Sequence, residues 1–135
     1  MPTNRRTFIK NLSAGALISS APLSTFAYSQ HKAPSDQLNI ALVGVRGVGW
    51  ANLRSHLRIP GVNLLALCDV DQRQLDRRLK DAEEMTGKRP LAYTDFRKLY
   101  ENKDLDAIII ATPDHWHAIQ AIQACQAGLD VYVEK

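Results

Sequence analysis

Cysteine is scarce in this sequence, and its placement provides no metal-binding or redox motif. Only Cys68 and Cys125 occur among 135 residues, and they form neither a C-x-x-C pair nor a spacing typical of metal ligands. Cys68 lies in a strand-like apolar run and Cys125 in a helix-like one. This placement predicts two buried thiols that behave as small apolar side chains.

Acidic residues are absent from the first 35 positions, which hold four of the 17 Lys and Arg residues. The rest of the chain therefore carries 13 basic residues against all 14 acidic ones, so the overall charge of +3 arises from the N-terminal segment. A domain without a basic excess lacks the electrostatic surface that nucleic acids require. We expect no nucleic-acid partner.

Long apolar runs are also missing, and none suffices to cross a bilayer stably. The chain opens with a basic segment, MPTNRRTFIKNL, followed by a modest stretch rich in Ala and Ser, SAGALISSAPLSTFA, which is the organisation of a signal peptide. Residues 5–10, RRTFIK, resemble the twin-arginine export signal R-R-x-F-L-K; an ordinary basic segment with adjacent arginines is the alternative. We predict a signal peptide over 1–27, a polar linker over 28–37, a periplasmic or secreted product, and no stable membrane anchor.

From Leu38 onward, apolar strand-like runs alternate with helical patterns. Strands are predicted at 38–43, 62–70, 91–94, 106–112 and from 130 onward. Helices are predicted from the glycine-rich segment to about 57, and at 71–87, 95–100 and 113–127. Near-continuous apolar runs indicate strands covered on both faces, as in a parallel sheet. The fold class is therefore α/β, a Rossmann-type doubly wound parallel sheet over 38–135, truncated after about the fifth strand.

Three of these helices have apolar residues at helical spacing, which predicts the face that packs on the sheet. In the first helix, these residues are Trp50, Leu53 and Leu57. In the helix capped by Asp71 and closed by Gly87, these residues are Leu75, Leu79, Ala82 and Met85. In the helix that follows Pro113, they are Ala118, Ile119, Ile122 and Cys125.

The first strand ends in three glycines, Gly44, Gly47 and Gly49, which resemble the G-x-G-x-x-G loop that holds a dinucleotide pyrophosphate. Counting from the strand end favours Gly44 as the first glycine and Gly49 as the last, because the alternative frame from Gly47 to Asn52 would put the tight turn inside the helix. Gly44 then permits the turn, and Gly49 permits the close approach of helix and strand.

Arg46 stands where this motif usually has its middle glycine. Its side chain can turn outward or lie along a phosphate as a cation, and Gly47 can restore the backbone freedom that is lost. Backbone N–H groups near Arg46, Gly47 and Val48 are expected to point at the pyrophosphate, aided by the helix dipole. All three are therefore candidate cofactor-binding residues, with Gly44 and Gly49.

Asp69 follows the second strand at about the distance from the glycine loop at which dinucleotide sites place an acid. Its carboxylate would accept hydrogen bonds from the ribose hydroxyls and would repel a 2′-phosphate, which favours NAD. Arg73 lies close enough in sequence to reach such a phosphate, so NADP stays possible. The alternative is a solvated aspartate at a strand end.

Polar residues also follow the fourth and fifth strands. In the segment ATPDHWH, His115 and His117 are spaced i and i+2, which points them apart at a helix start, so we expect no metal site. Stacking or hydrogen bonding beside a nicotinamide suits this corner better. The chain closes with Glu134 and Lys135, and a lysine at a strand end can hydrogen-bond or protonate a substrate oxygen, or simply be solvated.

These segments resemble the N-terminal domain of the glucose–fructose oxidoreductase / inositol dehydrogenase (Gfo/Idh/MocA) family. The resemblance rests on the glycine loop, on ALCDVD at 66–71, and on ATPDHWHAIQAIQACQAGLDVYVEK at 111–135. The last segment follows the family signature, which runs T-P-x-x-x-H, then alanines at helical spacing, A-G, an apolar strand and E-K.

The resemblance implies NAD(P)-dependent hydride transfer from or to a sugar or polyol hydroxyl. It implies that Asp69 holds the adenosine ribose and that Lys135 is the catalytic residue at the reacting hydroxyl. It assigns four further positions to the cofactor: Thr112, Pro113 and His117, which border the nicotinamide half, and Glu134. It also implies a substrate domain beyond this chain and a homo-oligomer at full length.

Two other functions stay open. Some relatives are glycosidases that use NAD as a transient oxidant, so the chain can equally be part of an NAD-dependent glycoside hydrolase. It can also be a truncated, non-catalytic dinucleotide-binding fragment. In either case we expect no turnover by these 135 residues alone, and an exposed sheet edge that promotes dimerisation or aggregation.

Overall fold

A computed structural model describes residues 36–134, in which five strands alternate with four helices. The strands are β1 (Leu38–Val43), β2 (Val62–Cys68), β3 (Leu91–Tyr93), β4 (Ala107–Ile110) and β5 (Asp130–Val133). The helices are α1 (Gly47–His56), α2 (Gln72–Thr86), α3 (Phe96–Tyr100) and α4 (Asp114–Gln126). The predicted signal peptide, most of the linker and Lys135 lie outside the described residues.

All five strands are parallel and lie in the order β3-β2-β1-β4-β5. Strands β2 and β3 therefore lie on one side of β1, and the chain then crosses back to form β4 and β5 on the other side. This arrangement confirms the predicted α/β, doubly wound sheet. The crossing between β1 and β4 places the loops that follow them side by side at the carboxyl end of the sheet, where ligands of such folds bind.

Apolar residues of β1 alternate between two cores, one on each face of the sheet. Ala41 and Val43 pack with α3 and α4, whereas Ile40 and Leu42 pack with α1 and α2. All four side chains are buried. Burial on both faces explains why the central strands read as continuous apolar runs rather than as alternating ones.

The ends of α2 form as the sequence predicts. The Asp71 side chain accepts hydrogen bonds from the N–H groups of Arg73 and Gln74, at 3.1 and 3.4 Å. Gly87 ends the helix with φ of +72°, the left-handed conformation that glycine adopts without a side-chain penalty. Met85, by contrast, is exposed on the last turn, so the predicted inner face of α2 extends one residue too far.

The predicted inner face of α4 is wrong. Ala118, Ile119, Ile122 and Cys125 are all exposed, and the fully buried residues are Gln120 and Ala124. Gln120 is buried because its side-chain oxygen accepts a hydrogen bond from Thr112 Oγ1 at 2.6 Å and its carbonyl accepts one from the Tyr100 hydroxyl at 3.3 Å. A polar residue thus shares the inner face with Ala124, and the four residues predicted for that face lie outward.

The two cysteines differ in their burial. Cys125 is exposed, which corrects the prediction of two buried thiols. Cys68 is buried at the end of β2, and this burial, with the nearby charges of Asp69 and Asp95, raises the pKa of its thiol to about 12. Cys68 is therefore a protonated core residue at neutral pH.

Strand β5 forms one edge of the sheet, and in residues 36–134 it pairs with β4 alone. Tyr132 and Val133 on this strand are exposed, as are Ile119 and Ile122 on α4. The helices described here are all too short or too polar to cross a bilayer.

Candidate functional site

A cleft of about 880 Å³ opens at the carboxyl end of the sheet. It lies within the size range of ligand pockets and is lined by the loops that follow all five strands. Eight of the residues predicted for the site line it: Gly44, Arg46, Gly47, Val48, Asp69, Thr112, Pro113 and Glu134. Gly49 and His117 lie behind this lining, and Lys135 lies outside the described residues.

Gly44 and Gly49 are glycines for two different steric reasons. Gly44 has φ of +90°, and a Cβ built on it would lie 2.5 Å from the carbonyl oxygen of Ala111 in the neighbouring loop. A Cβ on Gly49 would lie 2.3 Å from the Gly44 carbonyl oxygen and 2.7 Å from the Ala111 Cβ. Gly44 thus makes the tight turn, and Gly49 lets α1 approach the sheet, which are the roles that the frame from Gly44 to Gly49 requires.

Arg46 precedes α1 in an extended conformation, with φ of −91°, so this position does not demand glycine. Gly47 has φ of +38°, and a Cβ added to it would meet no atom within 4 Å. Glycine is therefore favoured there by the positive φ and not by a lack of space. The Arg46 side chain is 63 % exposed, and its guanidinium donates to the carboxylate of Asp71. It is therefore directed across the mouth of the cleft to the start of α2.

The Asp69 carboxylate ties the glycine loop to the end of β2. Its Oδ2 accepts a hydrogen bond from the Val45 N–H at 3.0 Å, and its Oδ1 accepts one from the Asp71 N–H at 2.9 Å. A carboxylate has about four acceptor positions, so two remain after these contacts. Asp69 is half-buried and lines the cleft, and it can accept two further hydrogen bonds from a ligand there.

Arg78 supports the glycine loop from α2, and sequence analysis missed it. Its Nε donates to the carbonyl of Val45 at 3.2 Å, and its guanidinium carbon lies 4.5 Å from the centre of the Trp50 ring. Asp81, one turn along α2, pairs with it at 2.8 Å. The contacts of Arg78 with Val45 and Trp50 join residues far apart in sequence, and no local pattern indicates them.

The loop after β3 and the first turn of α3 contribute a second group of lining residues that sequence analysis missed: Thr94, Asp95, Phe96 and Arg97. Phe96 is buried, and its ring lies 6.4 Å from that of Trp116, which also lines the cleft. The guanidinium carbon of Arg97 lies 4.8 Å from the centre of the Phe96 ring. These residues follow the carboxyl end of a strand, so the rule that selected Asp69 would have identified them if it had been applied to β3.

The loop after β4 is fixed by the first turns of α4. His117 Nε2 donates to the Thr112 carbonyl at 2.6 Å, and the Thr112 hydroxyl donates to Gln120. His117 therefore shapes the loop from behind, while Thr112 and Pro113 face the cleft. His115 is exposed, and among residues 36–134 no group of three His, Cys, Asp or Glu side chains gathers as metal ligands would.

Glu134 is held at the end of β5 by both its backbone and its side chain. Its N–H donates to the carbonyl of Ile110 at 2.9 Å, which continues the ladder of β4 and β5. Its Oε1 accepts hydrogen bonds from the side-chain amide of Asn52 and from the Tyr132 hydroxyl, the latter at 3.0 Å. The hydrogen bond and the negative charge of Glu134 raise the pKa of Tyr132.

A family model described as an oxidoreductase family with an NAD-binding Rossmann fold, Gfo/Idh/MocA, matches residues 38–135. Among solved structures, myo-inositol 2-dehydrogenase from Lactobacillus plantarum is 32 % identical with a TM-score of 0.63, covering 73 % of this chain and 28 % of that one. Scyllo-inositol dehydrogenase from Lactobacillus casei, with bound NAD(H) and scyllo-inositol, is 27 % identical with the same TM-score and coverage.

Curated relatives include a glycosyl hydrolase family 109 protein of Shewanella baltica, 29 % identical over 151 residues. An alpha-N-acetylgalactosaminidase of Shewanella oneidensis is 28 % identical over 151 residues. Both alignments cover 97 % of this chain and 33 % of the relative. The chain thus spans about a third of the length of these relatives.

Proposed function

The chain belongs to the Gfo/Idh/MocA oxidoreductase family, and from this membership we propose that its cleft binds NAD for hydride transfer at a sugar or polyol hydroxyl. Residues 38–135 are the NAD-binding Rossmann domain of such a protein. The substrate would be held by a further domain outside this chain. The family and the inositol dehydrogenases among the solved structures support this proposal.

The observation that carries the proposal is the junction of the glycine loop with Asp69. The backbone supports dinucleotide binding, since Gly44 permits the tight turn beside Ala111 and Gly49 removes a side chain that would keep α1 away from the sheet. The N–H groups at the start of α1 would hold the pyrophosphate from Arg46 to Val48. Asp69 would accept from the ribose hydroxyls with the acceptor positions that its two backbone contacts leave open.

The remaining residues divide between the other end of the cofactor and the substrate. Bound NAD supplies the hydride acceptor at its nicotinamide ring. Thr112, Pro113 and Glu134 line the part of the cleft next to β4 and β5 and would border that ring, with His117 fixing the loop behind them. Lys135 follows Glu134 in the sequence, and its side chain would hydrogen-bond the substrate oxygen. As a neutral amine it would accept the hydroxyl proton when the hydride leaves, and as an ammonium it would return that proton in the reverse reaction.

Isothermal titration of the chain with NAD and with NADP tests the cofactor step. We expect NAD to bind more tightly, and Asp69→Asn to weaken NAD binding because the neutral amide accepts fewer hydrogen bonds than the carboxylate. Asp130→Asn is the matched control, since it makes the same change at the amino end of the sheet. If neither nucleotide binds, the proposal fails.

A second candidate is an NAD-dependent glycoside hydrolase, which the glycosyl hydrolase relatives favour. The two functions differ in their products, because a dehydrogenase yields net NADH and an oxidised sugar, whereas this hydrolase releases free sugar without net NADH. Product analysis on a protein that joins this domain to its substrate domain distinguishes them.

Export by the twin-arginine route is also part of the proposal. The route carries folded proteins, which suits a protein that takes up its cofactor before export. The curated alignments cover 97 % of the chain, so they include most of the N-terminal segment as well. A reporter fused after residue 35 should reach the periplasm, and replacing Arg5 and Arg6 by Lys should stop it; export that survives this change would contradict the proposal.

A further inference from the structure

Arg46 and Asp71 join the starts of two helices across one end of the cleft. Asp71 uses its two oxygens differently. Its Oδ1 caps α2 through the N–H groups of Arg73 and Gln74, and its Oδ2 receives the guanidinium of Arg46. The cap on α2 is therefore complete without Arg46, so holding the arginine is a separate role of the same side chain.

The Arg46–Asp71 pair leaves the Asp69 carboxylate without a counter-ion among residues 36–134, at the end of the cleft where the adenosine ribose would bind. Asp69 accepts only from two backbone N–H groups and has no cationic partner among residues 36–134. Arg46 and Asp71 neutralise each other. Hydrogen bonding from the Gln74 N–H, together with the charge of Arg46, lowers the pKa of Asp71, so its carboxylate is ionised at neutral pH.

We propose that Asp71 is a positioning residue that enforces NAD over NADP by holding Arg46 away from the 2′ position of the adenosine ribose. The proposal rests on the proposed function, in which this cleft binds the dinucleotide through Asp69. A 2′-phosphate would place about two negative charges next to the Asp69 carboxylate. Two arginines line the cleft, Arg46 and Arg97. Arg46 directly follows Val45, whose N–H donates to Asp69, and Asp71 already engages its guanidinium.

Removing only the charge of Asp71 tests this role. Asp71→Asn in the full chain keeps a good helix cap, since Asn and Asp are equally favoured there. It frees the guanidinium of Arg46 to form a charge-assisted hydrogen bond with a phosphate. We expect isothermal titration to show the NADP affinity rising about tenfold relative to that of NAD, with NAD affinity changed less than about threefold.

Two further variants separate this role from a general effect of charge. Asp76→Asn removes the same charge from α2 at a site where the carboxylate meets Gln72 instead of the cleft, and it should leave the affinity ratio unchanged. The double variant Arg46→Gln/Asp71→Asn should lose the gain, because the gain depends on Arg46. Asp71→Glu, which restores the charge, should restore discrimination against NADP.

The outcomes separate this inference from the proposed function. If the unaltered chain binds NAD and Asp71→Asn leaves the ratio of affinities unchanged, the inference is wrong and the proposed function stands. If the unaltered chain binds neither nucleotide, both fail. Circular dichroism checks that each variant is folded, and Asp71→Ser, another capping residue without charge, replaces Asp71→Asn if that variant does not fold.

Discussion

Gly49 lies where α1 packs against the end of β1 and the loop after β4. The carbonyl oxygen of Gly44 and the Cβ of Ala111 occupy the space that a Cβ on Gly49 would need. Both obstacles are backbone or a short side chain in the core, so neither can move aside at little cost. The close approach brings the N–H groups at the start of α1 to the cleft.

We therefore expect Gly49→Ala to lower the free energy of unfolding by about 1–3 kcal/mol, despite the better helix propensity of alanine. Urea unfolding followed by circular dichroism measures the change. Val48→Ala is the matched control, since Val48 is exposed on the same turn and its truncation should change stability by less than about 0.5 kcal/mol. Equal effects of the two substitutions would contradict the steric role of Gly49.

At the scale of elements, the central strands could be predicted because burial on both faces leaves a local signature of continuous apolar residues. The second strand was predicted to reach 70 but ends at Cys68. The Asp69 N–H still donates to the Tyr93 carbonyl at 3.2 Å, and Asp69 and Val70 line the cleft. The inner face of α4 could not be predicted. It depends on hydrogen bonds to Gln120 from Thr112 and Tyr100, and the Tyr100 contact spans 20 positions of sequence.

The orientation of α4 is testable by substitution on its two faces. Ile122 is 55 % exposed and Ala124 is 0 % exposed. Ile122→Gln should change the free energy of unfolding by less than about 0.5 kcal/mol, whereas Ala124→Leu should lower it by about 1–3 kcal/mol through overpacking. Urea unfolding of both variants gives the comparison, and the opposite ranking would restore the face that periodicity predicted.

Some features of the cleft could likewise be identified from nearby sequence, whereas others depend on contacts between distant residues. Its glycines and Asp69 follow strand ends and could be identified from spacing alone. The Arg78 support and the Arg46–Asp71 pair connect separate elements, so only the fold shows them. Arg46 illustrates this limit, since the sequence allowed it either to turn outward or to lie along a phosphate, and the partner that decides its direction lies on another helix.

For the whole molecule, the outer side of β5 is the feature with the largest consequence. The N–H groups of Asp130 and Glu134 both donate toward β4, at 3.0 and 2.9 Å. Because N–H groups alternate in direction along a strand, that of Val133 points away from the sheet. Within residues 36–134, β5 thus has outward N–H groups without partners and exposed apolar side chains, which make an edge strand a template for pairing with another chain.

We expect the weight-average mass of the chain to rise with concentration in sedimentation velocity. Val133→Pro should reduce this association, because proline removes an outward N–H without removing a hydrogen bond to β4. Val133→Ala keeps the N–H and shortens the side chain, so it separates strand pairing from apolar contact and should associate more than the proline variant. A chain that stays monomeric at every concentration, or a proline variant that associates as strongly as the unaltered chain, would show that this edge does not pair.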